Sequence, residues 1–372
     1  PVSAYLHSAT MVKAGIFLLA RLYPVLGGSG LFEGIVATVG LGTMAFAAYV
    51  AVFKHDLKGL LAYSTISHLG LIVFLIGLAS PLSAVAAMFH ILNHATFKCS
   101  LFMTAGIIDH ETGTRDMRQL GGLMAFMPWT ATLAMVAAAS MAGVPLVNGF
   151  LSKEMFLTEA VGAQSHFAFG VLVPLAATLG AICSVAYSLR FIHDVFFNGP
   201  PKDLPKPQPH EPPFFMKAPV GLLVVICIVV GLLPAATFGP LVHVAATAVL
   251  GAPPPDYQLA IWHGFNLPLL LSVVALVGGA ALYWALQRKF DLHLHHPRGW
   301  TGRLLFTHAI DGLFGLAGRV TALLENGSLQ RYAALMVGSA VVLGAWPFLT
   351  GQGAGLATGG RELLPAPLLA WV

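Results

Sequence analysis

Residues 83–108 read SAVAAMFHILNHATFKCSLFMTAGII. This stretch is long enough to cross a hydrocarbon core of roughly 30 Å as a helix, which takes about 20 residues. It shows no polar–apolar alternation. A backbone in lipid must satisfy its polar groups within itself, so a transmembrane α-helix is predicted and a barrel strand is not. Within it stand His90, His94 and Lys98. Their i, i+4, i+8 spacing puts all three on one face, along roughly 12 Å of axis. Lys98 falls near mid-bilayer, where a charge costs at least ~2.5–3.5 kcal/mol and is usually part of a pathway. Histidine titrates near neutral pH. Two histidines and a lysine in register, with water between them, make a ladder that passes protons. The competing reading is a set of hydrogen bonds between helices.

Outward from this stretch the chain is uniformly apolar. Of its 372 residues 57% are hydrophobic and 9% charged, against roughly 25% charged in a soluble domain. Nine apolar runs are expected to span: 2–26, 34–53, 60–79, 83–108, 124–163, 167–197, 215–238, 267–286 and 330–349. The predicted fold class is therefore all-α integral membrane protein. The fifth run is too long for one helix, since 40 residues would extend about 60 Å. Gly143, Pro145 and Gly149 in its middle are expected to break it, and such breaks are tolerated where protein or a water cavity meets the freed backbone groups.

Lys153 follows that break in GFLSKE, with Glu154 beside it but about 100° round the helix. A lysine next to unwound backbone suits a gate; the alternative is a side chain reaching to the interface. Lys13 lies mid-run in the first helix with His7 six residues before it. The two face different directions, so at least one needs a partner on another helix. Arg21 and Tyr23 read as interface anchors, and Arg190, near the end of its run, is expected to snorkel. Asp56 is expected to hold a basic partner between helices. Ser64, Thr65, Ser67 and His68 enter the third run with groups that join either a water chain or helix–helix hydrogen bonds.

Counting Lys and Arg gives the orientation. Thirteen of the nineteen, from Lys54 and Lys58 to Arg331, fall in loops on one side, and only Arg361 on the other. That asymmetry puts the rich side in the cytoplasm. The segment 198–213 is Pro-rich and reads as an irregular linker; 298–324 mixes apolar and charged residues as a surface helix does. Cys99, Cys183 and Cys227 lie within apolar runs and read as core residues. His293, His295 and His296 have no acidic or cysteine neighbours, so no metal is expected. There is no P-loop, dinucleotide fingerprint or cysteine cluster, hence no cofactor and no enzyme chemistry. The formal charge of +4 comes without a basic aromatic stripe, which argues against nucleic acid. Pro1 opens directly into an apolar run and the far end turns apolar again, so a piece of a longer membrane protein is expected.

The segments PVSAYLHSATMVKAG, FKHDLKGLLAYSTISHLG, FHILNHATFKCSLF, GFLSKE and ENGSLQRY together resemble the antiporter-like membrane subunits shared by Mrp-type cation/proton antiporters and respiratory complex I. The resemblance covers almost the whole chain in order. DHETGTRDMRQLGGL, NGFLSKEMF, DYQLAIWHGFNLPLL and RELLPAPLLAWV are more similar to the Mrp large-subunit family. The resemblance implies two five-helix inverted repeats, each with one broken helix. Residues 1–26 would be the last helix of the first repeat and 34–197 the second repeat. The linker 198–213 would lead to two peripheral helices in 214–286, a lateral amphipathic region at 287–327, a further span at 328–349, and the start of a C-terminal extension at 350–372. It also implies that Lys98 is the central proton carrier, that Lys153 is the outlet group, and that His7, His90 and His94 lie on the connecting polar axis. Lys13 and Glu154 complete the expected proton path. The implied function is proton translocation within a monovalent cation/proton antiporter exchanging Na+ or K+. Its setting would be a hetero-oligomeric complex in the bacterial plasma membrane. The alternative is a proton-pumping subunit of an NADH:quinone oxidoreductase. The family's glutamate–lysine pair would lie upstream of Pro1, so this stretch is expected to hold about half a pathway.

Overall fold

A computed structural model describes residues 2–163, 170–260, 262, 264–289, 302–325 and 327–349. The chain divides into two compact units, Pro1–His295 and His296–Val372. Apart from one isolated bridge between Asp56 and Asp116, the regular structure among the described residues is helical.

The first unit begins with α1 (Val2–Ser8), a 3-10 turn at Met11–Lys13 and α2 (Ala14–Leu26). Then come α3 (Gly30–Val52), α4 (Leu57–Gly77), α5 (Pro81–Thr112), α6 (Pro128–Ala142), α7 (Asn148–Gly162) and α8 (Leu172–Phe196). It closes with α9 (Phe214–Leu232), α10 (Pro234–Thr237), α11 (Gly239–Leu250) and α12 (Leu267–Lys289). The second unit holds α13 (Gly302–Leu324) and α14 (Leu329–Leu349).

Among the described residues six helical stretches are long and apolar enough to cross a membrane: Val2–Leu26, Gly30–Val52, Leu57–Gly77, Leu172–Phe196, Phe214–Leu232 and Leu267–Arg288. They coincide with six of the nine expected runs. Helix α5 has the length, at 32 residues, but carries its histidines, asparagine and lysine inward, which lowers its hydropathy. Helices α6 and α7 have 15 residues each, about 22 Å of axis, short of the core thickness singly.

Hydroxyl and carboxylate caps set several starts. Ser29 accepts from the Phe32 amide at 3.3 Å and Asp56 from the Gly59 amide at 2.6 Å, each satisfying a donor that has no partner inside the helix. Asp56 also pairs with Arg115 on the α5–α6 link at 3.3 Å, the basic partner expected of it. Lipid gives no hydrophobic drive between helices, so small residues set how closely they pack. A Cβ on Gly40 of α3 would lie 2.8 Å from the Gly70 carbonyl of α4, and one on Gly70 2.7 Å from the Gly40 carbonyl. The two backbones therefore meet where only glycine fits.

Helix α5 is the axis of the unit. It contacts α1, α4, α6, α7, α9 and α11, and most of its length is buried. The Pro-rich segment 198–213 is irregular, as expected, but it is pinned. Lys202 and Lys206 amides donate to Gln119 and Thr112 carbonyls at 2.9 and 3.1 Å. Glu211 accepts from the Thr130 amide at 2.8 Å and pairs with Lys217 at 3.2 Å, capping the start of α6.

Three features differ from the sequence reading. The first run is not one helix: it is interrupted between Ser8 and Ala14. A helix, α11, stands between the two peripheral spans; its 12 residues are too few to register as a span, and it buries Val242, Ala246 and Val249 at helical spacing. Arg190 does not reach to an interface; it is fully buried and paired with Asp194 at 3.1 Å, because α8 supplies a carboxylate one turn on. The histidines at 293, 295 and 296, Arg298, Arg361, the first residues of the 298–324 segment and the 350–372 extension lie outside the described residues.

Candidate functional site: a buried lysine–histidine chain

The expected break is present between α6 and α7. Gly143 takes φ +83°, and the Gly143 and Val144 amides donate to Ser140 and Ala139 carbonyls at 3.1 and 3.0 Å. This is the glycine-ended stop that closes many helices. Leu146 is also in the left-handed region at φ 72°, a conformation that costs a non-glycine residue roughly 1–2 kcal/mol. Gly149 restarts the chain against the Ser140 carbonyl with no space for a Cβ. Gly143 and Pro145 thus stop one half-helix and Gly149 lets the next begin beside it.

Freed backbone at the break is met by side chains. Lys153 Nζ donates to the Ala142 carbonyl at 2.9 Å and to Ser184 Oγ of α8 at 2.8 Å. Ser184 Oγ donates to the Met141 carbonyl at 3.3 Å. Lys98 Nζ reaches the same place from α5: it donates to Met141 Sδ and to the Leu61 carbonyl, each at 3.3 Å, and to Ser64 Oγ. Lys98 is wholly buried and Lys153 nearly so, yet among the described residues neither pairs with a carboxylate. Two lysines held only by neutral acceptors in a lipid-embedded interior are expensive, which is the hallmark of ion-path groups.

Close to Lys153 lies a hydrogen-bonded string. Tyr187 Oη stands 3.4 Å from His68 Nε2, His68 Nδ1 3.0 Å from His90 Nε2, and His90 Nδ1 2.9 Å from Ser152 Oγ. Ser152 Oγ donates to the Gly149 carbonyl at 3.3 Å. Each neutral imidazole has one donor and one acceptor nitrogen, and one assignment satisfies the whole string in a single direction. Tyr187 donates to His68, His68 to His90, His90 to Ser152, and Ser152 to the backbone at the break. A proton added at the Tyr187 end is carried along by reversing each bond in turn. A cavity of ≈ 30 Å³ adjoins the string, lined by Ser67, His68, Lys153, Ser184 and Tyr187 among others. About 10–15 Å³ suffices for one water, so this space has room for water between His68 and Lys153.

His94 stands 5.4 Å from the His68 ring, ring centre to ring centre. Both its nitrogens, and both side-chain polar atoms of the neighbouring Asn93, are buried, with no hydrogen-bond partner within normal geometry among the described residues. Lys13 and His7 both turn to α5. Lys13 Nζ donates to the Ile91 carbonyl at 2.8 Å, and His7 stacks on Phe102 at 5.3 Å. Six residues apart in sequence, they reach one helix because the chain is interrupted between them. Glu154 is nearly buried and lines a separate cavity of ≈ 340 Å³ with Thr158, Glu159 and Asp256.

The structure therefore gathers Lys98, His90, His94 and Lys153 around the break, sets Lys13 and His7 along α5, and puts Glu154 on the far side of α7. Sequence reasoning placed His68 in a polar stretch without a specific partner, and it missed Ser152, Ser184 and Tyr187. A signal was available: Ser184, Tyr187, Ser188 and Arg190 recur at helical spacing in an otherwise apolar run.

Residues 1–179 match the family described as NADH:quinone oxidoreductase/Mrp antiporter, TM. The chain is 54% identical, over 95% of its length, to a probable K(+)/H(+) antiporter subunit of Rhizobium meliloti (strain 1021). It is 38% identical, over 92% of its length, to a Na(+)/H(+) antiporter subunit of Bacillus subtilis (strain 168). The chain spans 36% and 45% of those two relatives. It overlays a solved chain of the Mrp complex from Dietzia sp. DQ12-45-1b with a TM-score of 0.74 at 35% identity, covering 94% of this chain and 38% of that one. The matched segment and these relatives together make residues 1–179 a member of the membrane family common to NADH:quinone oxidoreductases and Mrp antiporters.

Proposed function

We propose that this chain is the proton-translocating part of a monovalent cation/proton antiporter subunit, working in a hetero-oligomeric complex of the bacterial plasma membrane. The observation that carries this reading is a pair of buried lysines with neutral partners, Lys98 on Ser64 and Lys153 on Ser184, with the His68–His90 pair sharing a cavity with Lys153. Lys98 is the central carrier and Lys153 the gate at the break. His90 and His94 with His68 relay between them, His7 and Lys13 continue the line along α5, and Glu154 receives protons beyond the break. Residues 34–197 act as the second repeat and 1–26 as the end of the first. The Lys- and Arg-rich loops face the cytoplasm. The chain acts as a transporter element and catalyses no covalent chemistry. Potassium is the expected cation, following the Rhizobium meliloti relative; sodium is the alternative, following the Bacillus subtilis one.

Coupling is electrostatic. Two like charges in a poorly screened interior repel, so loading Lys98 with a proton favours its release from Lys153. The test is proton flux in inverted vesicles carrying the full complex, with potassium, sodium or no added cation. Lys98→Ala is expected to abolish cation-dependent flux with the complex still assembled. Wild-type flux in that variant would reduce the ladder to scaffold. Flux that needs a quinone-linked electron donor and no cation would instead assign the chain to a respiratory pump.

A further inference from the structure

A second polar cluster lies at the other end of α8, outside the chain of groups described above. Arg190 is completely buried. Its Nε donates to Asp194 Oδ2 at 3.1 Å, one terminal nitrogen donates to the Val52 carbonyl at the end of α3, and the other lies 3.1 Å from His55 Nδ1. The second carboxylate oxygen of Asp194 accepts from Tyr283 Oη of α12 at 2.7 Å. Tyr283 Oη is in turn 2.9 Å from His193 Nδ1, which also lies 3.2 Å from Gln287 Nε2. Asp194 and Tyr283 are buried, whereas the His193 side chain is 39% exposed. A connected string of titratable groups therefore runs from a partly exposed imidazole to a buried carboxylate.

Helix geometry links this string to the first. Tyr187, Arg190 and Asp194 are spaced i, i+3, i+7 and share one face of α8, over roughly 10 Å of axis. Tyr187 is the head of the string that passes through His68 and His90 to the break. Ser188, on the neighbouring face, donates to the Ser184 carbonyl at 2.7 Å, and Ser184 holds Lys153. One edge of α8 thus carries polar groups from His193 to the His68 string and to Lys153.

Resting on the proton-path reading above, we propose that His193, Tyr283 and Asp194 form the intake through which protons pass between solvent at this end of the bundle and the Tyr187–His68–His90 string. Protonated His193 donates its Nδ1 proton to Tyr283 Oη while Tyr283 passes its hydroxyl proton to Asp194 Oδ1. The products are a neutral imidazole, an unchanged phenol and a neutral carboxylic acid. Arg190 cannot deprotonate; it is a positioning residue that holds Asp194 against Tyr283 and ties the intake to α3. Neutralising Asp194 weakens its hold on Arg190, and water admitted beside Arg190 then carries the proton over the roughly 10 Å of the α8 face to Tyr187. The charged and titratable groups around His193 are Asp194 and Arg190 on its own helix, Tyr283 on α12 and His55 on the α3–α4 link.

The test uses the full complex in inverted vesicles, with His193→Ala, Tyr283→Phe and Lys98→Ala beside wild type. His193→Ala alters a partly exposed side chain and leaves the buried ion pair intact. It is expected to slow proton uptake by about tenfold or more, given that positioned proton-transfer groups contribute about 10²–10⁴. Millimolar imidazole added to the medium is expected to restore it. Tyr283→Phe is expected to slow uptake without rescue, because its hydroxyl lies one step inside the point where imidazole arrives. Wild-type uptake in both variants while Lys98→Ala is inactive would overturn the intake and leave the ladder standing. Slow uptake in His193→Ala that imidazole does not restore would also overturn it, since a purely structural role gives that result. Wild-type uptake in Lys98→Ala would instead remove the underlying reading.

Discussion

Two interruptions in the helices each set a lysine on a backbone carbonyl, and they are made by different chemistry. Between α6 and α7 the chain stops on a left-handed Gly143 and restarts at Gly149, and Lys153 fills the freed Ala142 carbonyl at 2.9 Å. Between α1 and α2 there is no glycine or proline. Ser8 Oγ donates to the Ala4 carbonyl and Thr10 Oγ1 to the Tyr5 carbonyl at 3.1 Å. Hydroxyls that bond back to preceding carbonyls compete with the helical ladder and bend it. Lys13, just after this bend, donates to the Ile91 carbonyl of α5 at 2.8 Å. Lys153 is held by its own span and by Ser184 of α8, Lys13 by the neighbouring α5. The lesson is that one function, a lysine given room by broken backbone, is reached either through glycine conformation or through side-chain hydroxyls.

The hardest blow to this comparison is to remove each lysine. Lys153→Met is expected to abolish cation-driven proton flux, and Lys13→Met to lower it by about tenfold or more, the equivalent of roughly 1.4 kcal/mol on the barrier. Flux assays on assembled complexes check both. If Lys13→Met transports normally but melts earlier in detergent, the first break is only an anchor between α2 and α5, and the two regions are not functional counterparts.

A smaller effect separates the breaks by their backbone. A Cβ on Gly149 would overlap the Ser140 carbonyl, whereas Gly15, just past the first break, has open space around it. Gly149→Ala is expected to destabilise by roughly 1–3 kcal/mol, the cost of overpacking. Gly15→Ala is expected to be neutral or to stabilise by roughly 0.5–1 kcal/mol, since glycine inside a helix is a weak former. Thermal unfolding in detergent, scored side by side, decides this. Equal losses would mean that the first break also depends on close backbone approach.

The same contrast explains what was legible in the sequence. Glycine and proline are local punctuation, so Gly143, Pro145 and Gly149 gave the second break directly. The register of His90, His94 and Lys98 followed from helical spacing alone. The first break was written in Ser8 and Thr10, residues that also occur inside unbroken membrane helices, so its signal was ambiguous. The partners were hidden for a different reason. His68 meets His90 only because glycines bring α3 and α4 together and α4 lies against α5, and spacing within one helix carries no such information. Arg190 was read as an interface residue because its carboxylate, Asp194, sits where the span was drawn to end. The short α11 escaped because a membrane reading looks for length.

The smallest effect concerns the hydroxyl itself. Thr10→Val keeps the shape of the side chain and removes its hydrogen bond to the Tyr5 carbonyl. One such bond contributes about 0.5–1.5 kcal/mol, which is at most about tenfold in local opening. If the hydroxyl helps to hold the bend, the valine variant shifts toward a continuous helix, and amide exchange slows at residues 9–13 while the rest of α1 and α2 is unchanged. Lys13 then leaves the Ile91 carbonyl and proton flux falls modestly, in step with the gain in protection. The mirror substitution at the other break, Ser140→Ala, leaves Gly143 in place and should not slow exchange at residues 143–147. Slower exchange in both variants would show that hydroxyls shape both breaks, and faster exchange in Thr10→Val would show that the bend is imposed by packing against α5 and not by Thr10.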